Sequence, residues 1–159
     1  MIAELPAGSG LLGLGPIPGR AGTYDADLTA LLRWGAGLVL TMTGAEELSF
    51  VGAESLGRDL ELAGVAWLHL PMQDMGAPPA DTLALWAETS RTARALLGTG
   101  GRVFSHCYGG CGRAGMVSLR RMVELGEAPE AALARLRHVR PCAVETGAQF
   151  AWAAEGAIG

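Results

Sequence analysis

The chain reads as an α/β protein: one domain over residues 1–159, with a central, mostly parallel sheet of four to five strands and helices on both faces. Three observations predict this. Short apolar runs alternate with longer segments of helical pattern. The runs have almost no polar face, as expected of strands covered on both sides. After residue 113 the pattern stays helical nearly to the end.

Taken in order, the strand-like runs are Leu11–Leu14, Gly37–Met42, Val65–Leu70 and Arg102–His106. Helical segments fall at Ala26–Trp34, Ala45–Phe50, Glu54–Ala63 and Asp81–Leu97, then at Ala114–Leu125, Pro129–His138 and Thr146–Ala154. Pro78 and Pro79 exclude continuous strand or helix, so the long segment opens just beyond them. Gly98, Gly100 and Gly101 end it and free the chain to turn into the next strand. Pro129 sits at a helix N-terminus, where its missing N–H costs nothing. In a parallel sheet of this kind, ligands bind beyond the carboxyl ends of the strands.

Composition narrows the function classes. A net charge of −4 argues against nucleic acid or an anionic membrane as partner. All 12 basic residues are Arg, with no Lys. No apolar run of about 18 residues is present to cross a bilayer. The N-terminus, MIAELPAGSG, lacks the basic and apolar regions of a secretory signal. The three cysteines, Cys107, Cys111 and Cys142, close no disulfide framework, which suits a reducing cytoplasm. The four tryptophans lie among apolar neighbours and read as packing rather than as a stacking platform for bases.

The informative stretch is HCYGGCGRAG, residues 106–115. It joins a strand to a helix, a turn that aims successive backbone N–H groups into one concavity and favours anions. Gly109, Gly110 and Gly112 supply the backbone freedom, and the helix dipole adds partial positive charge. Arg113 offers a planar fork for two oxygens of a tetrahedral oxyanion. Cys107 stands where the anion's central atom would lie, and the field that binds phosphate also favours its thiolate. The bland reading is a glycine-rich turn around a buried thiol.

HCYGGCGRAG resembles the signature loop of the cysteine-dependent protein tyrosine phosphatase superfamily, His-Cys-five residues-Arg-Ser/Thr. It is most similar to small dual-specificity phosphatases of the kinase-associated branch, where His-Cys-Tyr-Gly-Gly recurs. LPMQDMGAPP (70–79) resembles the loop that carries the acid, and RPCAVETGAQ (140–149) resembles the downstream segment with a glutamine near the catalytic water. The resemblance implies phosphomonoester hydrolysis through a phosphocysteine, without metal or cofactor. Its substrate would be a phosphorylated protein or a small phosphomonoester, with phosphate or sulfate as loop ligands. Cys107 would be the nucleophile and Arg113 the clamp. Tyr108, Gly109, Gly110, Cys111 and Gly112 would line the substrate's phosphate.

Asp74 would be the general acid; it is the only acid between Glu61 and Asp81, and a turn-forming Asp is the alternative. Gln149 would orient the hydrolytic water. His106 would organise the loop, while His69 and His138 show no partner pattern. Two residues depart from the pattern. Ala114 stands where the family has a hydroxyl, which predicts a slow second step unless Ser105 or Ser118 replaces it. Cys111 reads as a small apolar filler, with a disulfide to Cys107 as the alternative. Two other functions compete: a phosphate-binding pseudophosphatase, favoured only by Ala114, and a rhodanese-like sulfurtransferase, which lacks an upstream Asp loop.

Overall fold

A computed structural model describes residues 2–157. The strands are β1 (Ala3–Ala7), β2 (Gly10–Pro16), β3 (Leu38–Thr41), β4 (Ala66–His69) and β5 (Arg102–Cys107). They form one sheet in the order β1-β2-β5-β3-β4, parallel throughout except for β1, which runs antiparallel to β2. The expected mostly parallel sheet is present, and β1 is its unforeseen member. Pro6 within AELPA argues against a strand in sequence, but at a sheet edge its missing donor costs nothing.

Helices α1 (Tyr24–Trp34), α2 (Ala45–Phe50) and α3 (Leu56–Leu62) carry the links among β2, β3 and β4. The segment read as one helix over Asp81–Leu97 divides into α4 (Ala80–Leu83) and α5 (Trp86–Gly98). The break turns Trp86 inward, where its indole N–H donates to Glu124 at 2.9 Å and its ring meets Trp152 edge-on at 5.0 Å. Helices α6 (Gly112–Glu124), α7 (Pro129–Val139) and α8 (Gly147–Ala154) complete the order.

Alternation along the central strands divides the core in two. Val39 and Phe104 join Leu31, Leu48, Leu56 and Leu60 on the α1–α3 face. Leu38, Leu40 and Val103 join Leu97, Met116, Leu119 and Leu136 on the other. Helices therefore cover both faces, as the apolar strands require. The chain leaves β5, the middle strand, at a point flanked by parallel neighbours on both sides. Pro16 pairs with Cys107 and Thr41 with His106, so three strand ends converge where the signature loop begins.

Candidate active site

The loop after β5 is held from outside, which turns its amides inward. Arg140 donates from Nε to Gly110 O at 3.0 Å and from Nη2 to Gly109 O at 2.9 Å. Val144 N and Gly115 N both donate to Cys111 O. With those carbonyls engaged away from the centre, the intervening N–H groups are free to face an anion. Gly110 has φ +74°, and a Cβ there would collide with the Gly15–Pro16 backbone, so only glycine fits. Cys107 is buried and is the free cysteine.

Arg113, at the start of α6, is 1% exposed. Its Nη1 and Nη2 donate to the two Glu47 carboxylate oxygens at 2.9 and 2.8 Å, and Nη1 also donates to Met72 O at 3.2 Å. Nε has no hydrogen-bond partner in the described structure. A buried, fixed guanidinium with one N–H free of hydrogen bonds has the geometry to receive an oxyanion. Burial opposes its charge, but Glu47 and the Cys107 sulfur outweigh that and raise its basicity. For Glu47, burial favours the neutral acid, yet the Arg113 and Gly44 hydrogen bonds prevail and hold the carboxyl below its ordinary range. Sequence reasoning missed Glu47, because GAEELSF reads simply as an acidic first turn that complements a helix dipole.

His106 is wholly buried, and its Nε2 lies 2.7 Å from Thr41 Oγ1. Thr41 Oγ1 in turn accepts the Trp67 indole N–H at 2.8 Å. Burial lowers the His106 pKa to about 4, so the ring is neutral around pH 7. His69 instead stacks on Trp67 and lies 2.6 Å from Thr43 O through Nε2.

Asp74 lies beside the clamp, with Oδ1 3.6 Å from Arg113 Nε, and its side chain is 68% exposed. The same oxygen accepts from Met75 N at 3.0 Å, and Met75 holds φ +65°, rare for a side chain of its size. The acid loop is latched to the start of α8: Thr146 Oγ1 donates to Met75 O at 3.3 Å, and Gln149 Nε2 to Gly76 O at 3.5 Å. A cavity of about 660 Å³ lined by Gly44, Glu47, Met72, Gln73 and Gly76 opens between this loop and α2.

Gln149 is fully buried, and its Oε1 accepts from Glu145 N at 2.8 Å and Thr146 N at 3.3 Å, capping α8. Only its amide nitrogen is turned to the loop, 3.0 Å from where a Cβ on Gly112 would stand. Ala114 is completely buried without a hydroxyl, and Ser118 one turn later has a buried Oγ with no partner. One expectation is overturned. Cys111 is neither a lone filler nor Cys107's partner: it is bonded to Cys142, 31 residues on, with Cα atoms 5.1 Å apart. Folding brings the 140–149 segment against the loop, a juxtaposition that no local spacing announces. The cysteines thus cease to argue for a reducing compartment.

A free buried thiol, a clamped arginine and an acid loop at the switch point of a parallel sheet define a cysteine-dependent protein phosphatase of the small dual-specificity type. The chain belongs to the family described as "Polymorphic toxin system, DSP-PTPase phosphatase", whose model matches residues 15–127. Solved structures agree on the fold. Kinase-associated phosphatase, with its catalytic cysteine substituted by serine, superposes at TM-score 0.84 with 24% identity, covering 98% of this chain and 92% of that one. PTPMT1 in complex with PI(5)P gives 0.78 with 20% identity, covering 98% and 95%. Tk-PTP in a mutant form gives 0.73 with 27% identity, covering 92% and 89%. No curated protein sequence matches. Among the described residues, no helix is long and apolar enough to cross a membrane.

Proposed function

We propose that this chain hydrolyses phosphomonoesters of phosphoprotein, on tyrosine or with dual specificity, through a phosphocysteine on Cys107. The observation that carries the reading is the fully buried Arg113, held by Glu47, with its Nε making no hydrogen bond and facing Asp74 at 3.6 Å, on the loop that holds the one free thiol. Phosphate oxygens would take that open edge and the loop amides of residues 108–113, with inorganic phosphate or sulfate as simple competitors. The Cys107 thiolate attacks phosphorus, and Asp74 gives its proton to the departing oxygen. Water then releases phosphate and restores the thiolate. No metal or cofactor enters the scheme, and neither nucleic acid nor membrane is a partner. The proposed working place is the cytoplasm, where reduction would open the Cys111–Cys142 bond and leave the loop its noncovalent ties.

The test uses p-nitrophenyl phosphate and a phosphotyrosine peptide. Cys107→Ser should abolish turnover yet bind inorganic phosphate, because the amides and Arg113 supply the binding. Asp74→Asn should lower kcat by ~10²–10⁴-fold on poor leaving groups and less on nitrophenolate, flattening the basic limb of the pH–rate profile. Near-normal turnover by Cys107→Ser would sink the mechanism. An unaltered basic limb in Asp74→Asn would move the acid elsewhere.

A further inference from the structure

The mouth of the signature loop carries a cation that the mechanism above does not use. Arg20 lies in the turn between β2 and α1, and its guanidinium sits over the Tyr108 ring, 4.8 Å from the centroid. Its Nη1 also borders Gly109, 3.3 Å from where a Cβ on that glycine would stand. The turn holds this side chain in place. Ile17 N donates to Tyr108 O and Arg20 N to Ile17 O, both at 3.2 Å, which ties the turn to the signature loop itself. Gly19 N donates to Asp27 Oδ2 at 2.8 Å and anchors the turn to the start of α1. Gly19 has φ +97°, and a Cβ there would collide with Val51 O, so this close approach requires glycine.

Arg20 is exposed, and among the described residues no carboxylate pairs with it and no acceptor takes its side-chain N–H groups. Stacking on Tyr108 uses the flat face of the guanidinium and leaves its N–H edge free. Charge around the mouth is uneven as well. Arg20 borders the loop at residues 108 and 109. At the other end of the loop, Asp74 lies 3.6 Å from Arg113 Nε, and the Glu145 carboxylate fills the space beside Gly112. A held cation with free donors stands at one edge, and two exposed carboxylates stand at the other.

We infer that Arg20 and Tyr108 form a second anion subsite, which selects phosphopeptides bearing a carboxylate side chain next to the phosphorylated residue; this rests on the phosphatase reading above. With the phosphate in the loop, a neighbouring Glu carboxylate accepts from the N–H edge of Arg20, while Tyr108 keeps the guanidinium flat and in place. A carboxylate on the opposite flank faces Asp74 and Glu145 and is repelled, so the preference is one-sided. The contact is made equally before and during phosphoryl transfer, and it therefore acts on KM rather than on kcat.

The test compares three phosphotyrosine peptides, flanked by Gln on both sides, by Glu before the phosphotyrosine, or by Glu after it. In the unaltered chain one Glu peptide should exceed the Gln peptide about 5-fold in kcat/KM, through a lower KM, and the other should not. The ratio should fall to about 2-fold at ~1 M salt, where the Debye length is about 3 Å. Arg20→Gln should bring the ratio to about one. Arg20→Lys, which keeps the charge but lacks the planar fork, should restore part of it. Each ratio is read within one protein, so a general loss of activity cancels. A ratio that survives Arg20→Gln, or an equal gain from Glu on both flanks, would overturn the inference. p-Nitrophenyl phosphate carries no second anion and reports the chemistry separately. Turnover of that ester with no preference among the peptides would remove the subsite and leave the phosphatase reading standing; no turnover of any substrate would remove both.

Discussion

Mild acid should destabilise this fold through one side chain, His106, before the carboxylates titrate. The ring is wholly buried on β5, and its Nε2 faces Thr41 Oγ1 at 2.7 Å. Thr41 Oγ1 already accepts the Trp67 N–H, so its single proton goes to His106 Nε2, leaving the imidazole neutral with its hydrogen on Nδ1. Protonation would set N–H against O–H and place a charge in the core near Arg113. Burial accordingly lowers the pKa from 6.5 in the unfolded chain to about 4. Between those values the unfolded state binds a proton that the native state refuses. The contribution is therefore complete above pH 6.5 and is lost as pH falls toward 4. At about 1.4 kcal/mol per pH unit, roughly 2 kcal/mol has gone by pH 5. Urea unfolding at about pH 7.5 and about pH 5, for the unaltered chain and for His106→Asn, measures it. The unaltered chain should lose the 2 kcal/mol, while the variant, less stable overall, should show a much flatter dependence. Equal slopes in the two proteins would refute the buried-neutral assignment.

Two further outcomes follow from the Cys111–Cys142 bond and the Glu47–Arg113 pair. Reducing the Cys111–Cys142 bond, or Cys142→Ser, frees a loop of 31 residues in the unfolded chain; loop entropy sets the loss at about 3.7 kcal/mol in urea unfolding, and a loss below about 1 kcal/mol would contradict that account. Glu47→Gln keeps the shape but removes the charge that fixes Arg113, and should lower kcat/KM about 10-fold with only about 1 kcal/mol of stability lost, since the Glu47 side chain is 31% exposed. Because Glu47's carboxyl is held below its ordinary 4.5, its part of the stability is present above that pH and lost as pH falls beneath it. Activity of Glu47→Gln equal to that of the unaltered chain would mean that Met72 O and packing alone orient the guanidinium.

The chain's own pattern determined four of the sheet's five strands, its two-sided cover and the position of the loop, because each is written in contiguous residues. An apolar run of four to six residues bounded by turn residues suits a central strand, and HCYGGCGRAG between a strand and a helix reads as an anion-binding turn from its own residues. Asp74 stands out as the lone acid in a proline-rich segment, but the pattern alone left a turn-forming role equally open, and only the resemblance pointed to an acid. Residues that act across long separations were not legible. Glu47 lies 66 positions from Arg113, and nothing in GAEELSF tells a carboxylate that clamps from one that caps. Arg140, Cys142 and Glu145 meet the loop only because α7 packs on α6 and returns the following segment to the carboxyl end of β5. Even β1 belongs to this class, since Pro6 is forbidden in a central strand and harmless at an edge, and only the assembled sheet says which position is which. Local patterns specify local geometry; the partners of a buried charge or a thiol are chosen by packing, which is where the site acquired the Glu47 hold on Arg113 and the Cys111–Cys142 bond.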